Sequence, residues 1–218
     1  MQDVNFIAST IHAMTEGIQN KETLQRIIGT ANEYARTMKY PMSKTDWSDA
    51  LHDQDVVIHA AGKNTSNELS KSNSLDEFRR INVKGTINLA NQAMLAKVKR
   101  FIFISSIKVN GENTEYNKSF AVNDKPKPQD NYALSKLEAE IGIKKIAKIS
   151  DMEVVIIRPP LIYGNGVEGN FTKIVDLVQK KIPLPLGNIN NQRSFIALDN
   201  IIDLIIKCID HPRAGNKI

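Results

Sequence analysis

The sequence predicts an α/β fold built on a parallel sheet, and two observations carry that expectation. Three short apolar runs rich in Val, Ile and Phe occupy residues 54–60, 100–105 and 153–158. Runs of that kind suit parallel strands covered on both faces. Helical patterns at about 74–97, 130–149, 170–180 and 199–210 alternate with or follow them, which gives right-handed βαβ crossovers. A chain of 218 residues that is 41% hydrophobic can bury the core of one domain.

Taken in order, the first 44 residues read as helical. Leu24, Ile27, Ile28, Ala31, Tyr34, Ala35 and Met38 recur at steps of three and four, with Asn20 placed as an N-cap and Pro41 as a stop. Val4, Ile7, Ile11 and Met14 form a shorter stripe ahead of Gly17, so a helical hairpin is expected, with residues 20–39 burying Leu24, Ile27, Ile28 and Tyr34. The stretch GENTEYNKSFAVNDKPKPQDN is polar and proline-containing and reads as a loop between a strand and the next helix.

Chemistry concentrates on either side of that loop. Ser106 ends the run FIFISS, and 26 residues later NYALSK brings Tyr132 and Lys136. A free tyrosine has a pKa of about 10 and is a poor base at neutral pH. A lysine four residues on lies one turn along the same helix face, where its charge favours the phenolate. Ser106, at a strand end, can hydrogen-bond the reacting hydroxyl. The spacing alone is weak, because Lys and Arg fill 29 of 218 positions and Tyr40 and Lys44 repeat it around Pro41. The strand ending in paired serines makes the second instance informative.

With these motifs in place, residues from about Thr45 to Ile218 resemble the extended short-chain dehydrogenase/reductase family, in its NAD-dependent nucleotide-sugar epimerase and reductase branch. VVIHAAGKN resembles that family's fourth strand and cofactor loop, FRRINVKGTINL its next helix, RFIFISS the catalytic-serine strand, NYALSK the tyrosine-lysine helix, and VVIIRPPLIYGNG the following strand and turn. The resemblance implies an incomplete Rossmann-like parallel sheet over residues 45–218, with part of a substrate lobe at about 160–200. It implies catalytic roles for Ser106, Tyr132 and Lys136, with Tyr132 exchanging the hydroxyl proton and Lys136 lowering its pKa and binding cofactor ribose. Ala60, Ala61, Gly62, Asn82, Tyr132, Lys136 and Pro159 would contact NAD or NADP. Lys108, Asn170 and Arg193 would hold a nucleotide-diphosphate sugar. The implied reaction is hydride transfer at the sugar's C4, by a 4-epimerase or a 4-keto-sugar reductase, in surface-polysaccharide synthesis. Family dehydratases carry an Asp-Glu pair where this chain has Ile107 and Lys108.

Plainer readings stand beside these. His59 suits a structural hydrogen bond at a strand end, Gly62 and Gly164 suit turns, Arg193 suits a solvated strand, and Asn170 suits a cap for a helix starting at Phe171. Residues 1–44 do not match the family, and no glycine-rich dinucleotide loop precedes Thr45. The family's first strand normally lies beside DVVIHAA, so an unpaired sheet edge is expected there. HPRAGNKI likewise stops short of the family's usual end. The alternative is therefore a truncated, non-catalytic relative that binds no dinucleotide.

The net charge of +5 does not make a nucleic-acid protein. Lys144, Lys145 and Lys148 share a helix with acidic neighbours, and aromatics are 6% of the chain. Four scattered histidines and Cys208 make no metal-ligand spacing. No run is long enough to span a membrane, and a lone cysteine fits a reducing cytoplasm. A homodimer is compatible with the pattern.

Overall fold

In a computed structural model, the chain is described over residues 42–63, 74–164, 174, 177–183 and 192–218. The expected N-terminal hairpin, including the helix at 20–39, and Asn170 at the start of the expected helix over 170–180 lie outside those residues.

A 3₁₀ turn at Met42–Lys44 and α1 (Ser48–Leu51) lead into β1 (Val56–His59). After it, α2 (Leu75–Phe78) runs through a wider π-helical segment, Arg79–Gly85, into α3 (Thr86–Leu95). Then come β2 (Arg100–Ile104), a 3₁₀ turn at Ile107–Val109, α4 (Asn131–Ala147), β3 (Glu153–Ile157), β4 (Leu161–Tyr163), β5 (Phe195–Ala197) and α5 (Leu198–Asp210). The three apolar runs thus become the three strands of one sheet. The helix ends follow side-chain chemistry: Ser74 Oγ accepts from Glu77 N at 3.3 Å to open α2, and Asp130 Oδ1 accepts from Ala133 N at 2.6 Å to open α4.

The sheet order is β1-β2-β3, all parallel, with Val57 opposite Phe101 and Ile102 opposite Val155. Among the described residues β1 pairs with β2 alone. β4 and β5 form a separate parallel pair. The long polar loop between β2 and α4 is present as expected, without helix or strand over 112–130.

Alternate strand residues feed opposite layers. Phe101, Phe103, Val154 and Ile156 pack with Leu51, Leu89, Ala93, Ile143 and Ile146 under the α3 and α4 side. Ile102, Val155 and Ile157 pack against Ile201, Ile202, Ile205 and the free thiol of Cys208 from α5. Burying each large apolar side chain contributes about 1.5–3 kcal/mol, so both layers hold the carboxyl ends of β1, β2 and β3 in fixed relation. Arg100 ties the opposite end. Its Nη1 donates to the carbonyls of Cys208 and Ile209 at 2.9 and 2.8 Å, and its Nε to Glu153 Oε2 at 2.8 Å.

Candidate active site

The strand end carrying Ser106 is fixed by backbone bonds to the chain leaving β3. Ser105 N donates to Ile157 O at 2.7 Å, and Ile107 N donates to Pro159 O at 3.1 Å. Pro159 therefore flanks the serine, and its carbonyl is already engaged by Ile107 N. Ser106 Oγ accepts from Lys108 N at 3.3 Å and is hydrogen-bonded to the Tyr132 phenol. Tyr132 is the second residue of α4, with its ring edge-on to Phe78 at 6.4 Å between centroids.

Electrostatics at the phenol depart from the sequence expectation. Burial raises the Tyr132 pKa above its ordinary value, opposed by the Ser106 hydrogen bond, reinforced by the Asp130 carboxylate and opposed again by Lys108. The cation acting on the phenol is Lys108. Lys136 instead turns its Nζ to the Ile104 carbonyl at 2.9 Å and sits 4.7 Å from the Phe103 ring centroid. A buried ammonium needs an acceptor, and the end of β2 supplies one. Burial lowers the Lys136 pKa to about 8, with Glu140 partly restoring it.

Lys108 donates to Asp130 Oδ2 at 2.8 Å and pairs with Glu112 Oε1 at 2.9 Å. Burial works against its charge, yet the hydrogen bonds to these two carboxylates raise its pKa. Asp130 has two tasks, since its other oxygen caps α4.

The loop after β1 closes the other side. Asn82, 1% exposed and set in the π-helical segment, clamps this loop: its Oδ1 accepts from Lys63 N at 2.7 Å, and its Nδ2 donates to Lys63 O and Ser135 Oγ at 3.0 and 2.9 Å. Ala60, Ala61 and Gly62 lead into the clamped residue. A Cβ on Gly62 would stand 3.1 Å from Asn82 Oδ1 and 3.3 Å from Lys136 Nζ, so only glycine fits without displacing the site's own polar groups. His59 has the structural bond expected of it, 2.9 Å to Thr86 Oγ1, and stacks on Phe103. Burial pushes its pKa down to about 3, with the Lys136 charge adding to the effect.

The fold therefore gathers Gly62, Asn82, Ser106, Lys108, Tyr132, Lys136 and Pro159 around the carboxyl edge of the sheet, the side on which ligands bind in open α/β folds. Arg193 is exposed ahead of β5. The sequence reading missed Glu140, Arg158 and Asn110, which lie buried or half-buried behind the site. Only the four-residue step from Lys136 to Glu140 could have pointed to them. Gly164, read from the sequence only as a turn residue, also begins a Gly-x-Gly-x-x-Gly spacing with Gly166 and Gly169. That run follows β4 of the small sheet; Gly164 has a φ of 151°, and the rest lies outside the described residues.

Residues 11–218 match the sequence profile of the NAD dependent epimerase/dehydratase family. This stretch includes residues 11–44, which the sequence reading set apart. The chain is 48% identical over 177 residues to a UDP-glucose 4-epimerase of Vibrio cholerae, an alignment spanning 81% of this chain and 54% of that protein. It is 27% identical over 164 residues to the human dTDP-D-glucose 4,6-dehydratase, across 74% of this chain and 46% of that protein. The chain thus spans about half the length of these curated relatives. Its fold is similar to that of a UDP-glucuronic acid 4-epimerase from Bacillus cereus solved with UDP-glucuronic acid and NAD, with a TM-score of 0.73, 20% identity, and coverage of 96% of this chain and 72% of that one.

Proposed function

Because the chain belongs to the NAD dependent epimerase/dehydratase family, we propose that its site moves a proton on and off a nucleotide-sugar hydroxyl at C4, as a 4-epimerase or a 4-keto-sugar reductase. The observation that carries this reading is the hydrogen-bonded Ser106–Tyr132 pair beside a buried lysine that has spent one of its three donors, on Ile104 O. The relative named UDP-glucose 4-epimerase supports the epimerase form. Ile107 and Lys108, in place of an Asp-Glu pair, argue against dehydration.

These residues fit the nicotinamide half of NAD or NADP. Gly62 keeps the loop after β1 free of a side chain that would crowd Lys136 and Asn82. The two remaining Lys136 donors suit ribose hydroxyls, and Ala60, Ala61 and Pro159 supply the adjoining backbone. A bound oxidised nicotinamide supplies a hydride acceptor and a positive charge that favours the phenolate.

Tyr132 then takes the proton from the sugar hydroxyl, and Ser106 holds that oxygen in line. Lys108, steadied by Asp130 and Glu112, faces the sugar, while Asn170 and Arg193 hold the nucleotide diphosphate. A surface-polysaccharide role and a reducing cytoplasm suit such a substrate. The lack of a glycine-rich loop before Thr45 favours one other reading, a non-catalytic relative that binds no dinucleotide. Assaying interconversion of UDP-glucose and UDP-galactose with added NAD, for the wild type and Tyr132→Phe, separates the two. Turnover in the wild type that the variant loses supports the first, and binding of UDP-glucose without turnover supports the second.

A further inference from the structure

A lysine and a glutamate one helical turn apart ordinarily pair along the helix face. Lys136 and Glu140 have that spacing and do not pair. Glu140, 1% exposed, gives both carboxylate oxygens to other groups. Arg158 Nε donates to Oε1 at 2.9 Å and Nη2 to Oε2 at 2.6 Å, while Ser105 Oγ donates to Oε1 at 2.6 Å. Arg158 Nη1 reaches Asn110 Oδ1 at 3.0 Å, and Asn110 Nδ2 donates to Ala121 O at 3.1 Å in the loop flanking the site. The network joins the residue before Ser106, the residue before Pro159, and the helix that carries Tyr132 and Lys136.

We infer that Arg158 is a positioning residue that holds Glu140 away from Lys136, leaving the ammonium turned toward Ile104 O and Gly62 with donors to spare for a ligand. A forked guanidinium matches both carboxylate oxygens and outcompetes a point-charge ammonium for them. Without it, Glu140 is a buried carboxylate lacking a countercharge, and pairing with a nearby lysine relieves that cost. Lys136 is the buried candidate; Lys144, one turn on, is exposed and solvated. Among the described residues no other charged side chain acts on Lys136. β1 presents His59, which burial keeps neutral. β2 presents a carbonyl and the Phe103 ring, the π-helical segment presents the Asn82 amide near the Gly62 loop, and α4 itself presents Glu140.

The inference rests on the proposed function only in giving the free ammonium a dinucleotide to hold, so the test begins without one. In the ligand-free chain labelled at lysine Cε, the resonance that Lys136→Arg removes is followed by NMR against pH. The wild-type midpoint lies near 8. Arg158→Gln should move it up by about one pH unit or more, and adding Glu140→Gln should bring it back to the wild-type value or below. An unchanged midpoint in Arg158→Gln, or no reversal in the double variant, overturns the inference. Should Arg158→Gln fail to fold, Arg158→Lys decides: it keeps the charge but loses the two-oxygen fork, so the midpoint must rise, and an unchanged midpoint overturns the inference. Calorimetry with NAD is the second readout: about tenfold weaker binding in Arg158→Gln, restored in the double variant, is the expected pattern. A wild-type chain that binds no NAD would sink the proposed function and leave the lysine titration to decide the inference.

Discussion

The phenol of Tyr132 begins on the neutral side, because burial outweighs the help it receives from Ser106 and Lys108. In the ligand-free chain it should therefore ionise above the ordinary tyrosine value of about 10. Phenolate absorbance against pH checks this, with Tyr132→Phe removing the last phase. In turnover the same variant should lose about 10²–10⁴ in rate, because general acid–base transfer is lost. Sugar-nucleotide affinity should stay within about threefold, since the proton carrier adds little to ground-state binding. His59 makes a separate prediction. Its folded pKa of about 3 lies below the ordinary 6.5, so its contribution to stability is full above 6.5 and is lost as pH falls toward 3. Urea unfolding between pH 6.5 and 4 should show a loss approaching about 1.4 kcal/mol per pH unit from this group. His59→Asn should flatten that slope whatever it does to stability at neutral pH.

The opening of α4 couples capping to the site through Asp130. Asp130→Ala should cost about 1 kcal/mol from the lost cap and leave Lys108 paired with Glu112 alone. Asp130→Asn keeps an acceptor for Ala133 N and removes the charge that raises the Tyr132 pKa, so thermal stability should hold while the phenolate midpoint falls. Thermal melts and phenolate titration on both variants distinguish the two tasks. The sheet strands were legible in sequence because Val56–Ile58, Phe101–Ile104 and Val154–Ile157 are uninterrupted apolar runs, as burial of β2 and β3 on both faces demands, while Val56–Ile58 are half-buried. The π-helical segment Arg79–Gly85 was not, since one extra residue in a turn leaves the apolar period of the whole helix almost unchanged. β4 and β5 are three residues each, too short for alternation to register. Tyr132 with Ser106 was legible from local motifs, whereas Arg158 on Glu140 is a contact across 18 positions that no periodicity encodes.

Across the whole molecule, two packed layers hold three strand ends in register and so fix the distances among Ser106, Tyr132, Lys136 and Gly62. Phe101, fully buried between β1 and β3, should show this dependence: Phe101→Ala should cost about 3–5 kcal/mol, readable as a lower urea midpoint. Under the proposed function the described residues would hold the nicotinamide half of a dinucleotide, and the 44 residues before Thr45 carry no glycine-rich loop of the kind that seats a pyrophosphate. Without the several charge-assisted bonds of about 1.5–3 kcal/mol each that such a loop supplies, this chain should bind NAD about 100-fold or more weaker than a relative that has the loop. The central claim is that Lys136 and its neighbours form a nicotinamide site, and calorimetric titration of NAD into the wild-type chain and Lys136→Ala tests it most directly. Weak but measurable wild-type binding that falls about tenfold or more in the variant, as expected from losing one charged hydrogen-bond donor, is the predicted result. Equal affinity in the two proteins, or no binding by the wild type at millimolar NAD, would contradict the account.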